Sequence, residues 1–181
     1  MIYAGIDPSL TGTTICILSR KESLFGAHIH YFHRVTTKET GIQRLIEIEH
    51  EVKQTFKLYR PDVVCIEGYS FGSRGKAVFQ IGELGGILRR LLHMTNRVWY
   101  EIPPTMLKKY ATGKGTATKE SVVLHVYKKY GIECETNDEA DAYILARIAY
   151  NLHYTQDETT GYQETILKNL RDTKGIQCIS Y

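Results

Sequence analysis

Ile2-Tyr3-Ala4-Gly5-Ile6-Asp7-Pro8-Ser9-Leu10-Thr11-Gly12-Thr13 opens the chain. Ile2, Ala4 and Ile6 alternate with the period of two that marks a strand, and the run ends on Asp7 before a turn rich in breakers, Pro8 to Gly12. From Thr13 to Leu18 an apolar, β-branched stretch resumes, and a third strand-like segment covers 27–33. Connections this short join antiparallel neighbours, because a parallel pair needs a crossover of about a dozen residues or more. The first third of the chain therefore reads as a meander.

The period then changes. Ile42, Leu45, Ile46, Glu49, Val52, Phe56 and Tyr59 recur three or four apart, which predicts an amphipathic helix over 41–59 that stops at Arg60-Pro61. Residues 62–67 hold Val63-Val64-Cys65-Ile66, an all-apolar run suited to a strand buried on both faces, closed by Glu67. A second helix is expected at 76–94, with Gly82, Gly85 and Gly86 permitting a close neighbour, then a strand at 97–102. Pro103-Pro104 opens a short helix near 105–110, a glycine-rich loop follows at 112–116, Thr118 can cap a helix to Tyr130, and a further helix covers 137–153. A meander followed by β-α-β units gives an α/β sandwich, a mixed five-stranded central sheet flanked by helices. We read 1–153 as one domain and 154–181 as a C-terminal extension with one short helix at 162–171, where Ile166, Leu167 and Leu170 either add a helix to the domain or make a dimer contact.

The 181 residues, 43% hydrophobic and 24% charged, suffice for one core without a disulfide or structural metal. Cys16, Cys65, Cys134 and Cys178 contain no Cys-x-x-Cys pair and read as reduced thiols. No apolar run approaches the roughly 20 residues of a membrane span, and the first strand lacks the charged start of a signal peptide, so a cytoplasmic protein with no membrane partner is expected. The net charge of +3 hides an uneven distribution. Residues 71–130 carry eleven Lys or Arg against three acids, leaving the remainder with 12 basic and 17 acidic residues. A basic middle points to a polyanion, clustered acids to a metal.

Four acids stand at special places. Asp7 and Glu67 each close a strand, and if those strands are neighbours both carboxylates leave the sheet at one edge. Asp138 and Asp141, three apart, share a face in the first turns of a helix. Singly, Asp7 is a turn former and Asp138 or Asp141 a helix N-terminal charge; jointly, the four predict a site for hard divalent cations, Mg²⁺ or Mn²⁺. Two such ions roughly 4 Å apart suit phosphodiester hydrolysis.

Around them lie cationic segments. Arg74 and Lys76 belong to a loop overhanging the second acid, and Gly113-Lys114-Gly115 before a helix offers backbone N–H groups as a phosphate cradle. Walker spacing is absent, which disfavours nucleoside triphosphates. Arg89 with Arg90, and Lys128 with Lys129, read as cations at helix ends. His28, His30 and His33 have no Cys or acid at ligand spacing and are read against zinc.

Three segments, Gly5-Ile6-Asp7-Pro8-Ser9-Leu10-Thr11-Gly12-Thr13, Val64-Cys65-Ile66-Glu67-Gly68-Tyr69-Ser70-Phe71-Gly72 and Asn137-Asp138-Glu139-Ala140-Asp141-Ala142, resemble the acidic motifs of RuvC-type Holliday junction resolvases. Gln80-Ile81-Gly82-Glu83-Leu84-Gly85-Gly86 is similar to that family's glycine-bearing helix, and 103–119 to its basic segment. The resemblance implies a ribonuclease H-like three-layer fold, a homodimer, and Mg²⁺- or Mn²⁺-dependent nicking of branched DNA such as a four-way junction. By the same resemblance Asp7, Glu67, Asp138 and Asp141 are metal ligands, and Lys119, with Lys108 or Lys109, lies near the scissile phosphate. Tyr69 and Phe71 bracket the place where the family carries an aromatic that opens bases. Two rival readings are a ribonuclease H-like or YqgF-like nuclease on RNA or RNA–DNA hybrid, and a branched-DNA-binding protein without catalysis.

Overall fold

The computed structural model describes residues 1–20, 28–69, 76–95, 97–154 and 159–173. Five strands, β1 (Ile2–Asp7), β2 (Thr13–Arg20), β3 (His28–Val35), β4 (Val63–Glu67) and β5 (Val98–Ile102), form one sheet in the order β3-β2-β1-β4-β5. The first three are the expected antiparallel meander. β4 then lies parallel to β1 and β5 parallel to β4, connections made possible by the helices α1 (Gly41–Tyr59) and α2 (Lys76–Met94). At the start of β4, Asp62 accepts from the Ile2 amide and donates its own amide to the Ile2 carbonyl, both at 2.7 Å. This double contact sets the register that brings the far ends of β1 and β4 level.

After β5 come α3 (Pro104–Thr112), α4 (Lys119–Tyr130), α5 (Asn137–His153) and α6 (Gly161–Asp172). Strand alternation sends side chains to two cores. Ala4, Ile6, Ile15, Val64 and Ile66 meet Leu45, Ile48, Val52 and Phe56 of α1 and Leu84, Leu88 and Leu92 of α2. Tyr3, Cys16, Leu18, Val63 and Cys65 meet α5, with α3, α4 and α6 packed outside it. α5 is thus covered on all sides and buried without a break from Ala140 to Leu152, which fits its largely apolar sequence, with Asp141, Arg147 and Asn151 as buried polar exceptions.

α3 is longer than expected because Pro104 fits a first helical turn and the first left-handed residue is Gly113, at φ 84°. Thr118 caps α4 by accepting from the Ser121 amide at 3.3 Å. In α6, Ile166, Leu167 and Leu170 join the α5 core, so these residues pack within the chain. Gln163 is buried and donates to the Tyr110 carbonyl at 2.9 Å, and Arg171 donates to the Asn151 carbonyl at 2.8 Å. Lys129, expected to be a solvated helix end, donates to Gln163 at 2.7 Å and ties α4 to α6. Among the described residues no helix is long and apolar enough to cross a membrane.

Candidate active site

Asp7 and Glu67 emerge side by side, since Ile6 and Ile66 are partners in the β1–β4 ladder. The turn after Asp7 is pinned by its own hydroxyls: Thr13 donates to the Ser9 carbonyl at 2.7 Å and accepts from the Ser9 amide at 3.1 Å. What brings the other two acids in is Gly5. A Cβ there would overlap the Ala142 carbonyl and stand 2.5 Å from the Ala146 nitrogen and 2.7 Å from Leu145 Cβ. Only glycine lets α5 rest on the β1 backbone, and that contact carries the start of α5 to the edge where Asp7 and Glu67 end.

Within that helix start, the acids divide their work. Thr136 accepts from the Glu139 amide at 3.2 Å, and the Glu139 carboxylate reaches back to the Glu135 amide at 2.6 Å. This reciprocal capping satisfies the helix end and leaves Asp138 and Asp141 for the site. Asp7 and Asp141 are each only 6% exposed.

Burial and crowding tell in the protonation. Desolvation, followed by the charge of Glu67 and of the two helix acids, pushes Asp7 well above the usual carboxylate range. It donates a hydrogen bond to Glu67, itself raised by burial although that bond, Lys119 and Lys108 all work to lower it. Asp141 is raised to about 7 by desolvation and then by Glu67, against Lys119 and Lys108. Lys119 stands 3.8 Å from Asp138. As the side chains stand, the Asp7–Glu67 hydrogen bond and the Asp138–Lys119 ion pair take up these oxygens, and among the described residues no three acids, His or Cys form a ready ligand shell. The donor set nevertheless fits a hard cation, for it consists of carboxylate oxygens whose mutual repulsion two lysines only partly offset.

The remaining expected residues scatter around this centre. Lys108 is half-buried on α3 and acts on Glu67 and Asp141, while Lys109 and Lys114 are exposed. Two of the three amides expected to cradle a phosphate at 113–115 are engaged within the chain, that of Gly113 by the Lys109 carbonyl and that of Lys114 by the Thr112 hydroxyl. Tyr69, two residues past β4, packs against α2, its hydroxyl donating to the Gly82 carbonyl at 3.2 Å. Phe71 and Arg74 lie outside the described residues, as does the side chain of Lys76, whose backbone opens α2. His30 packs on Phe32 and Tyr143 and His33 faces Glu51 at 3.5 Å, an ordinary structural use of both rings.

Sequence reasoning gave one cation, Arg89, another role and did not single out a second, Arg34. Arg89 does not serve the α2 end; its Nε donates to Glu101 of β5 at 2.8 Å and its guanidinium stacks 4.0 Å from the Tyr69 ring. Its neighbour Arg90 pairs with Glu49 of α1 at 3.7 Å. Arg34, opposite Thr14 in the β2–β3 ladder, lies over Gly12 in the turn after Asp7. No local signal marks either, since both positions come from strand register and helix packing.

Comparison with known proteins agrees with this geometry. The chain is 31% identical to the crossover junction endodeoxyribonuclease RuvC of a Sulfurovum species over 81% of its length and 92% of the relative's. Its fold superposes on Thermus thermophilus RuvC in complex with Holliday junction substrate with a TM-score of 0.68 and 26% identity, covering 81% of this chain and 90% of that one. The yeast mitochondrial Holliday junction resolvase Ydc2, 14% identical, shares the fold at a TM-score of 0.58 over 94% of this chain and 81% of its own. These neighbours bear out the ribonuclease H-like architecture. The family model for crossover junction endodeoxyribonuclease RuvC matches residues 3–149, and the RuvC of Caldicellulosiruptor saccharolyticus is 30% identical over 91% of this chain and 98% of its own length, so the chain belongs to the RuvC family.

Proposed function

We propose that this chain is a metal-dependent endonuclease that resolves Holliday junctions or related branched DNA, cutting as a homodimer. The observation that carries the reading is the meeting of four acids from β1, β4 and α5 at one sheet edge, beside Lys108 and Lys119. Asp7, Glu67, Asp138 and Asp141 are the ligands for two divalent ions per site, Mg²⁺ or Mn²⁺. Bound there, the ions supply activation of the attacking water and stabilisation of the leaving oxygen in an in-line displacement at phosphorus. Lys119, held near Asp138, and half-buried Lys108 place positive charge where the scissile phosphate approaches the acids. Exposed Lys109 and Lys114, with Arg74 and Lys76, extend the cationic path for the strands, and Tyr69 or Phe71 meets the bases at the branch point.

One chain carries one such site, so symmetric cuts call for a second copy. On the face of α2 bearing Gly82, Gly86 and exposed Phe79, a Cβ at either glycine would meet no described atom within 4 Å, which suits that role. In this reading residues 1–153 are the nuclease domain, 154–181 an extension whose α6 buttresses α3 and α5, and the protein works in the cytoplasm.

The test is cleavage mapping with labelled four-way junction, flap, duplex and RNA–DNA hybrid in Mg²⁺. Paired symmetric nicks confined to the four-way junction are expected, and cutting of the hybrid alone overturns the reading. Asp7→Asn and Glu67→Gln are expected to lose about 1,000-fold or more in cutting rate while keeping junction binding. Undiminished cutting by both variants sinks the metal mechanism.

A further inference from the structure

On the α2 side of Glu67 lies a cavity of about 120 Å³ lined by Pro8, Glu67, Tyr69, Ile81, Gly85 and Arg89. The Arg89 guanidinium presents five N–H donors and no acceptor. Glu101 occupies only its Nε edge, at 2.8 Å, and both outer nitrogens, Nη1 and Nη2, are buried with no hydrogen-bond partner among the described residues. A guanidinium left in this way is unfavourable in the free chain, and such groups mark a missing acceptor.

Tyr69 keeps water from it. The ring lies 4.0 Å from the guanidinium, yet Tyr69 is 39% exposed and bonded to α2 through one hydroxyl contact of 3.2 Å. Gly85 makes the room for this pair, since a Cβ there would overlap Arg89 Nη1 and sit 2.6 Å from the Tyr69 ring. The outer fork of an arginine matches two oxygens of a phosphate, which would give both nitrogens acceptors and charge at once.

We propose that Arg89 is a phosphodiester-binding residue beside the acidic centre, covered by Tyr69 in the free protein and uncovered when Tyr69 turns toward a DNA base. The proposal rests on the reading of the chain as a branched-DNA enzyme and adds to it a contact that couples the aromatic to the strand backbone. When the ring leaves, its place over the guanidinium opens and a phosphate of the strand laid over Glu67 enters.

The experiment is binding of a four-way junction with divalent ions chelated, measured from low to moderate salt, for the wild type, Arg89→Leu, Arg89→Gln, Arg89→Lys and Tyr69→Leu. Losing one phosphate contact makes the slope of log affinity against log salt shallower by about one for each subunit in contact, a change that loss of packing alone does not produce. Both neutral variants are expected to bind about tenfold more weakly at low salt with that shallower slope, while Arg89→Lys and Tyr69→Leu keep the wild-type slope. An unchanged slope in Arg89→Leu and Arg89→Gln overturns the proposal, whatever happens to affinity. Should neither fold, methylphosphonate replacement of single phosphates around the crossover in complexes of the wild type and Arg89→Lys decides. At least one position must weaken the wild type, and insensitivity at every position overturns the contact. Failure of the underlying reading looks different: the wild type would then show no preference for the four-way junction over duplex.

Discussion

Gly5 of β1 and the glycines of α2 pose the same structural question with opposite answers. At Gly5 the absent side chain is filled from within the chain, by the backbone of α5. At Gly82 and Gly86 a Cβ would meet no described atom within 4 Å. A glycine inside a strand or helix weakens it, so each must be offset by an approach it allows. The first approach assembles the acids in one chain, and the second leaves a helix face without a close approach from any described residue. Between them sits Gly85, whose space is taken by Tyr69 and Arg89.

Breaking the internal approach has the largest expected effect. Gly5→Val drives branched carbons into the α5 backbone, where no flexible side chain can yield. The cost is about 3 kcal/mol or more, with α5 pushed off β1 and Asp138 and Asp141 displaced from Asp7 and Glu67. Urea unfolding should show the loss of stability, and cleavage should vanish even in variants that remain folded. A Gly5→Val protein with wild-type stability and cutting would show that this close approach does not position the site.

The acids gathered by that approach hold the second prediction. Asp141 sits at about 7 in the folded chain against an ordinary 3.8. Between these values a folded chain holds the Asp141 proton that an unfolded one releases, so the contribution of this group to metal-free stability is most favourable below about pH 4 and is lost as pH rises through 7. Asp7 and Glu67 are raised as well and act in the same direction. Asp141→Asn removes the penalty and should stabilise the metal-free protein at pH 8 by about 2 kcal/mol, with little change at pH 4. Thermal melts at the two pH values check the sign. Adding Mg²⁺ should raise the melting temperature of the wild type more than that of the variant, because the wild type retains the charge that the ion neutralises. Stabilisation by Asp141→Asn at pH 4 equal to that at pH 8 would assign the effect to packing.

Sequence alone reached the meander, the parallel crossovers and the ranges of α1, α2 and α5, because each rests on local periodicity or on short connections. It also singled out the four acids, whose positions at strand ends and a helix start are local properties. It missed the role of Gly5, whose partners Ala142 and Ala146 are brought to it by folding. Arg89 was misread for the same reason: near a helix end it looks like a cation for the last turn, but β5 and the residue after Gly68 decide its contacts. The 113–115 loop failed differently. Its Gly113 and Lys114 amides are taken by Lys109 and Thr112, a local competition that a glycine-rich composition conceals. Of α6, the burial of Gln163 against Tyr110 depends on the long-range placement of α3.

The smallest expected effect on the isolated chain is also the sharpest test of the open face. Gly86→Leu replaces a poor helix former by a good one where nothing obstructs it, so the monomer should gain up to about 1 kcal/mol. If a second copy approaches α2 as closely as α5 approaches β1, the same leucine holds the two helices apart and the dimer weakens. Phe79→Glu probes that face from another position, since its ring is 75% exposed in the single chain and its loss costs the monomer little. Sedimentation at several concentrations should show both variants shifted to monomer by tenfold or more in dissociation constant, with paired nicking reduced to single cuts. Retention of a wild-type dimer by both would place the interface elsewhere. A more stable monomer that no longer dimerises would show that the glycine of α2 is kept for a partner outside the chain, as Gly5 is kept for one inside it.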